Sequence, residues 1–256
     1  MLDSITLTLE GESTMKPITI IRKSVLLLLF SLIIPTSAGV YLSIKEVTDP
    51  MTIYLINGCA MLAGCLLLLF IIQKSRFHLK EIGFRKGSLG MWIFPILIIE
   101  AIPFIAGFNK DLTVSSFLAL CFFMVCVGLF EEGIFRGILF QYLKQINLST
   151  AIWGSAVLFG LGHAANLLSG KSLTLTVAQI LFAFLFGFVA AEIVALTNSL
   201  QWVILWHAVH NIVDQTTNGQ TSVELQMLLL SIQCVILLVL AVVLWRRLRT
   251  KKVFDR

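Results

Sequence analysis

Six residues carry the chemistry open to this sequence. Glu131, Glu132 and Arg136 stand in "EEGIFRG", His163 closes "FGLGH", and His207 and Asn211 bracket "HAVHN". All three stretches lie in runs apolar enough for lipid. There each ionisable group costs about 2.5 to 3.5 kcal/mol to insert, and is a functional candidate for that reason. Carboxylates and imidazoles are the groups that accept and pass on protons, so the set offers general acid–base chemistry.

Spacing gives these residues different parts. Glu132 and Arg136 are four apart with the acid first, so they share a helix face and neutralise each other. Glu131 is turned about 100° away, lacks that arginine as its own partner, and is the candidate general base. His207 and Asn211 again share a stripe, with Asp214 further along it and His210 beside it, and Phe159 and His163 repeat the spacing. A lone intramembrane His or Asn is commonly a helix-to-helix hydrogen bond. Three such clusters together favour one site. At ~1.5 Å per residue from the basic ends of their runs, Glu131 lies roughly 18 Å deep, His163 roughly 22 Å and Asn211 roughly 16 Å, with His207 shallower at roughly 10 Å.

The elements that must position them are membrane helices. Of 256 residues, 58% are hydrophobic and 13% charged, far from the roughly one-quarter charged share of soluble domains. Mean hydropathy is +0.94. Eight runs approach spanning length: 25–44, 51–72, 91–108, 114–140, 148–168, 173–196, 200–213 and 223–245, the seventh being the weakest. The expected fold is an all-α polytopic membrane bundle of about eight transmembrane helices. The longest polar stretch, 73–90, has 18 residues, too few for a soluble domain, which usually needs about 50. The chain divides into a polar tail at 1–24, three helices over 25–112, a catalytic core of helices four to seven over 113–217, and a last helix with a basic tail over 218–256.

Fifteen Lys and Arg residues fall at one set of alternate loops and ends: Lys16, Arg22, Lys23, Lys74, Arg76, Lys80, Arg85, Lys86, Lys144, Arg246, Arg247, Arg249, Lys251, Lys252 and Arg256. Only Lys45, Lys110 and Lys171, three residues, fall at the other set. The positive-inside rule then places both termini in the cytoplasm. The segment 16–40 has signal-peptide features, but its apolar run continues through "GVYLSI" to a full span and is read as helix one.

Several other function classes fall away. The net charge of +5 comes from span ends, so no nucleic acid is expected. "ANLLSGKS" fits a relaxed phosphate-loop pattern but starts on alanine and follows no strand, so no nucleotide is expected. No internal repeat of the transporter kind is visible. Cys59, Cys65, Cys121, Cys126 and Cys234 are odd in number and read as small buried hydrophobes. Glu100 and Glu192 read as hydrogen bonds to neighbouring helices or boundary positions, with a place along a substrate path as the alternative, and Trp202 and Trp206 as interfacial anchors.

In their order, EExxxR through Glu131, Glu132 and Arg136, FxxxH through Phe159 and His163, and HxxxN through His207 and Asn211 resemble the CAAX protease and bacteriocin-processing family, also called CPBP or Abi. The resemblance implies an intramembrane endopeptidase acting on a peptide or membrane-protein substrate. Glu131 would activate a water held also by His163. His207 and Asn211 would stabilise the oxyanion, and Glu132 and Arg136 would orient the site. No obligatory metal is expected and no HExxH is present; if zinc is used, Glu131, His163 and His207 are its candidate ligands. A bacterial plasma membrane is the expected location. The alternative reading is a non-catalytic membrane protein for bacteriocin self-immunity or for regulation of a membrane partner.

Overall fold

Apolar runs joined by short polar loops fold here into helices. The computed structural model describes residues 15–169, 172–217 and 221–250, all helix and loop with no strand among them. The tail 1–14, Lys171, Lys251, Lys252 and Arg256 lie outside the described residues, as does part of "ANLLSGKS". The α-helices are α1 (Pro17–Ile44), α2 (Pro50–Lys74), α3 (Ile93–Ala101), α4 (Val114–Glu132), α5 (Phe140–Lys144), α6 (Leu148–Gly162), α7 (Leu173–Thr197), α8 (Gln201–Thr217) and α9 (Val223–Thr250). Short 3-10 helices extend α3 over Ile102–Ala106 and α6 over His163–Ser169, and a π-helical turn, Gly133–Leu139, joins α4 to α5.

Six of these segments are long and apolar enough to cross a membrane: Pro17–Ile44, Pro50–Lys74, Val114–Lys144, Leu148–Leu167, Leu173–Thr197 and Val223–Thr250. The protein is a multi-pass membrane protein. The third and seventh expected runs also form helices, but shorter ones, Ile93–Ala106 and Gln201–Thr217. Helix α1 starts at Pro17, inside the stretch read as polar tail, so Arg22 and Lys23 are helical.

Side chains of the right type stop and start the helices. Asp49, Thr113, Asn147 and Ser172 each accept a backbone N–H in the first turn of α2, α4, α6 and α7, which satisfies a donor the helix cannot. Helix α7 is the centre: 67% of its most apolar window is buried, against 22% for α1. Leu66 and Phe70 on α2, and Val235 and Val239 on α9, are by contrast exposed, as lipid-facing positions are. Glycine permits the closest crossings. A Cβ on Gly128 would meet the Ile204 carbonyl oxygen at 2.9 Å, and one on Gly160 the Ile180 carbonyl oxygen at 3.1 Å, so α4 and α8, and α6 and α7, pack backbone to backbone.

The two ends of the bundle differ. At the basic end, segment 75–92 folds under the helices. Leu200 N donates to Gly83 O at 2.8 Å, Trp202 Nε1 donates to Gly87 O at 3.0 Å, and Ser199 Oγ donates to Arg85 O. Ile82 and Leu200 are fully buried. At the opposite end, Asn109 N donates to Thr216 O at 2.7 Å, tying the loop before α4 to the last turn of α8. The cysteines are free, but only Cys126 is buried and Cys59 is exposed, which corrects the reading of all five as buried.

Candidate active site

The first motif runs from the end of α4, with Glu131 and Glu132, into the π-helical turn, which carries Arg136. The turn widens the helix where Arg136 must fit, and such bulges recur at functional sites. Glu132 and Arg136 are both fully buried, with Arg136 Nη1 2.9 Å from Glu132 Oε1. The guanidinium also lies over the Phe159 ring, 4.0 Å from its centroid, a favourable cation–π geometry. Helix α7 makes room for it with Gly187, where a Cβ would stand 2.5 Å from Arg136 Nη2.

The third motif joins the first directly. His207 Nδ1 lies 2.8 Å from Glu132 Oε1, and His207 Nε2 lies 3.8 Å from Glu131 Oε2. Since a carboxylate only accepts, Nδ1 carries the proton in that contact. Glu131, Glu132, Arg136 and His207 thus form one continuous chain of polar side chains. Glu131 is its exposed member, at 21% of its side chain, against 6% for His207 and none for Glu132.

The second motif joins through Phe159. Its ring packs edge-on against His207 at 5.8 Å and against His163 at 5.1 Å, and His163 Nδ1 lies 3.1 Å from Phe159 O. His163 and His207 then line one cavity of about 210 Å³ with Asn211, His210, Gln179 and Gln226. One water needs about 10–15 Å³ on that measure, so the cavity admits water together with part of a larger molecule. All six candidates therefore lie either in this chain of polar contacts or on the cavity wall that His207 shares.

The depth count placed His207 too shallow because it set the first residue of its run at the membrane edge. Helix α8 instead begins on the buried segment 75–92, with Leu200 and Val203 fully buried, so its first turn is already inside the protein.

A second polar cluster was not assembled from the sequence. Glu100 accepts from Trp206 Nε1 at 2.8 Å, and His210 Nδ1 is 3.2 Å from both of its oxygens. Glu100 therefore does bridge to a neighbouring helix. Trp206 is not an interfacial anchor: it is 4% exposed and packs on Phe186 at 4.1 Å. Nor does Glu192 hydrogen-bond across helices or mark a boundary. It is fully buried, and neither carboxyl oxygen has a hydrogen-bond partner among the described residues.

The donor set was weighed against zinc. Among the described residues no group of three or more His, Cys, Asp or Glu side chains is arranged to hold a metal ion. Glu131, His163 and His207 are not so arranged either, so the residues present do not fit the metal and no step is routed through one.

Residues 113–213 match the family described as Rce1-like, type II CAAX prenyl endopeptidase Rce1-like. No curated protein sequence matches the chain. The matched segment spans the π-helical turn and all three motifs.

Proposed function

We propose that this chain, which belongs to the CPBP family through residues 113–213, is an intramembrane endopeptidase driven by Glu131. The observation that carries the reading is the unbroken chain from Arg136 through Glu132 and His207 to Glu131, next to a cavity that can hold water. Glu131 takes a proton from a water that His163 helps to hold, and the hydroxide adds to the scissile carbonyl carbon. The charge that forms on the carbonyl oxygen is met by His207 Nε2–H and by the Asn211 amide, each donor being worth about 3 kcal/mol in a dry, fixed site. Glu131 then returns the proton to the nitrogen as the carbon–nitrogen bond breaks, leaving an acid and an amine.

Charge counting supports these roles. Two carboxylates, one guanidinium and one imidazolium sum to zero, whereas a neutral imidazole leaves one net negative charge in a buried cluster. Glu132 thus holds His207 as a donor, and Arg136 prevents Glu132 from being an uncompensated charge. The proposed setting is a bacterial plasma membrane and the substrate a membrane-associated peptide or protein.

The test compares wild type with Glu131→Gln, both reconstituted and folded, against a mixed library of membrane-associated peptides read by mass spectrometry. Products that appear with wild type and vanish with the variant are expected. Identical profiles overturn the peptidase reading and favour the immunity or regulatory one.

A further inference from the structure

We infer that His210 is a substrate-binding residue, whose Nε2–H donates to a backbone carbonyl oxygen of the bound polypeptide beside the scissile bond, and that Glu100 is the positioning residue that holds it there. This assignment rests on the peptidase reading and extends the site beyond its three motifs. His210 fills an unspecified position of HxxxN, and Glu100 stands before the matched segment 113–213.

The two histidines of α8 are held in the same way. His207 has Nδ1 2.8 Å from Glu132 of α4, and His210 has Nδ1 3.2 Å from both oxygens of Glu100 of α3. A carboxylate only accepts, so Nδ1 of His210 carries the proton. Glu100 is itself anchored, since Trp206 Nε1 donates to its Oε1 at 2.8 Å. Aromatic packing fixes the imidazole plane. The His210 ring stacks on Phe182, with centroids 4.8 Å apart and planes 20° apart, and lies 5.7 Å from Phe186, which also packs against His207 at 5.4 Å. The remaining polar atom of the ring, Nε2, makes no hydrogen bond among the described residues and is not sealed in. The side chain is 14% exposed and lines the cavity that His207 and Asn211 also line. A tie between helices would account for Glu100 and Trp206, but not for a fixed imidazole with its second nitrogen left open beside the site.

Charge sets the direction of the bond. Glu100 brings one negative charge and Trp206 none. An imidazolium cancels that charge, whereas a neutral ring leaves it buried and uncompensated. Asp214, one turn further along α8 on the same wall, adds a second negative charge that favours the cation. Nε2 therefore donates, and the group it meets on a polypeptide is an oxygen. Spacing says which. His210 is three residues from His207, about 4.5 Å along the helix, and an extended chain advances about 3.3 Å per residue. With the scissile carbonyl at His207, His210 reaches a carbonyl one or two residues away.

The test uses the full chain in proteoliposomes and a quenched-fluorescence peptide carrying the best-cleaved sequence from the peptide library. His210→Phe keeps the stacking on Phe182 and removes the donor. Glu100→Gln keeps an acceptor for Trp206 and removes the charge that holds His210. Each should raise KM roughly 10-fold with kcat little changed, the pattern of a contact made equally in the ground and transition states. The double variant, which leaves neither charge buried without its partner, should raise KM no further than either single one, and it carries the test if a single variant fails to fold. On a Glu131→Gln background, adding His210→Phe should weaken peptide binding by the same factor. Thioamides, poorer acceptors than amides, placed singly at the two residues on either side of the scissile bond should raise KM for the wild type at one position and have no such effect on His210→Phe. Unchanged KM in the folded variants overturns the inference, as does a fall in thermal stability and kcat with KM intact, or the absence of any thioamide position that depends on His210. In each of these cases the peptidase reading stands. Absence of Glu131-dependent cleavage from the wild-type protein overturns that reading, and the substrate contact with it.

Discussion

His207 Nδ1 and Arg136 Nη1 converge on the same oxygen, Glu132 Oε1, at 2.8 and 2.9 Å. One carboxylate thereby fixes an imidazole from α8 and balances a guanidinium on its own helix. The site's geometry and its electrostatic cost are carried by a single buried group.

Replacing that group separates the two roles. Glu132→Gln leaves Arg136 as an uncompensated buried cation, which costs about 3 to 5 kcal/mol, and thermal unfolding in detergent should show the loss. Glu132→Gln with Arg136→Met removes both charges, so stability should return while peptide cleavage does not. Cleavage restored along with stability would mean that the pair is structural only.

Gly187 should be intolerant for a reason that is not local. An added Cβ would stand 2.5 Å from Arg136 Nη2 and 3.1 Å from the Phe159 ring, so Gly187→Ala should displace the guanidinium and abolish cleavage. Gly39→Ala, where nothing lies within 4 Å, should be stabilising by roughly 0.5–1 kcal/mol, the usual cost of glycine in a helix. Equal behaviour of the two variants would remove the cradle argument.

These two residues also mark what could be read in the sequence. The pairing of Glu132 with Arg136 follows from four-residue spacing on one helix, and the three motifs are legible because charged and amide groups stand out against lipid-facing runs. Gly187 does not stand out, because a small residue in an apolar helix has no visible partner. The π-helical turn over Gly133–Leu139 is hidden too: Arg136 is its only polar side chain, and one polar position sets no phase from which a change of period could be read. Glu100 and Trp206 were visible as residue types, but they meet only because α3 and α8 pack together across 106 residues of chain.

Chelation provides a third test. Among the described residues no three His, Cys, Asp or Glu side chains are arranged to hold a metal ion. Cleavage by the purified protein should be unchanged after treatment with a strong zinc chelator and exhaustive dialysis. Loss of cleavage restored by zinc alone would show that such side chains rearrange around a metal.

Glu192 should respond in the opposite sense to Glu132. Both are fully buried, but Glu132 is held by two partners, whereas neither oxygen of Glu192 has a hydrogen bond among the described residues. Burying a polar group without a partner costs about 1 to 3 kcal/mol on protein mutational scales. Glu192→Met, which keeps the side chain's length and removes its polar atoms, should raise the unfolding temperature and leave cleavage intact. A stabilised but inactive variant would show instead that the unpartnered carboxyl is retained for the chemistry, since natural proteins keep a destabilising buried group where function requires it.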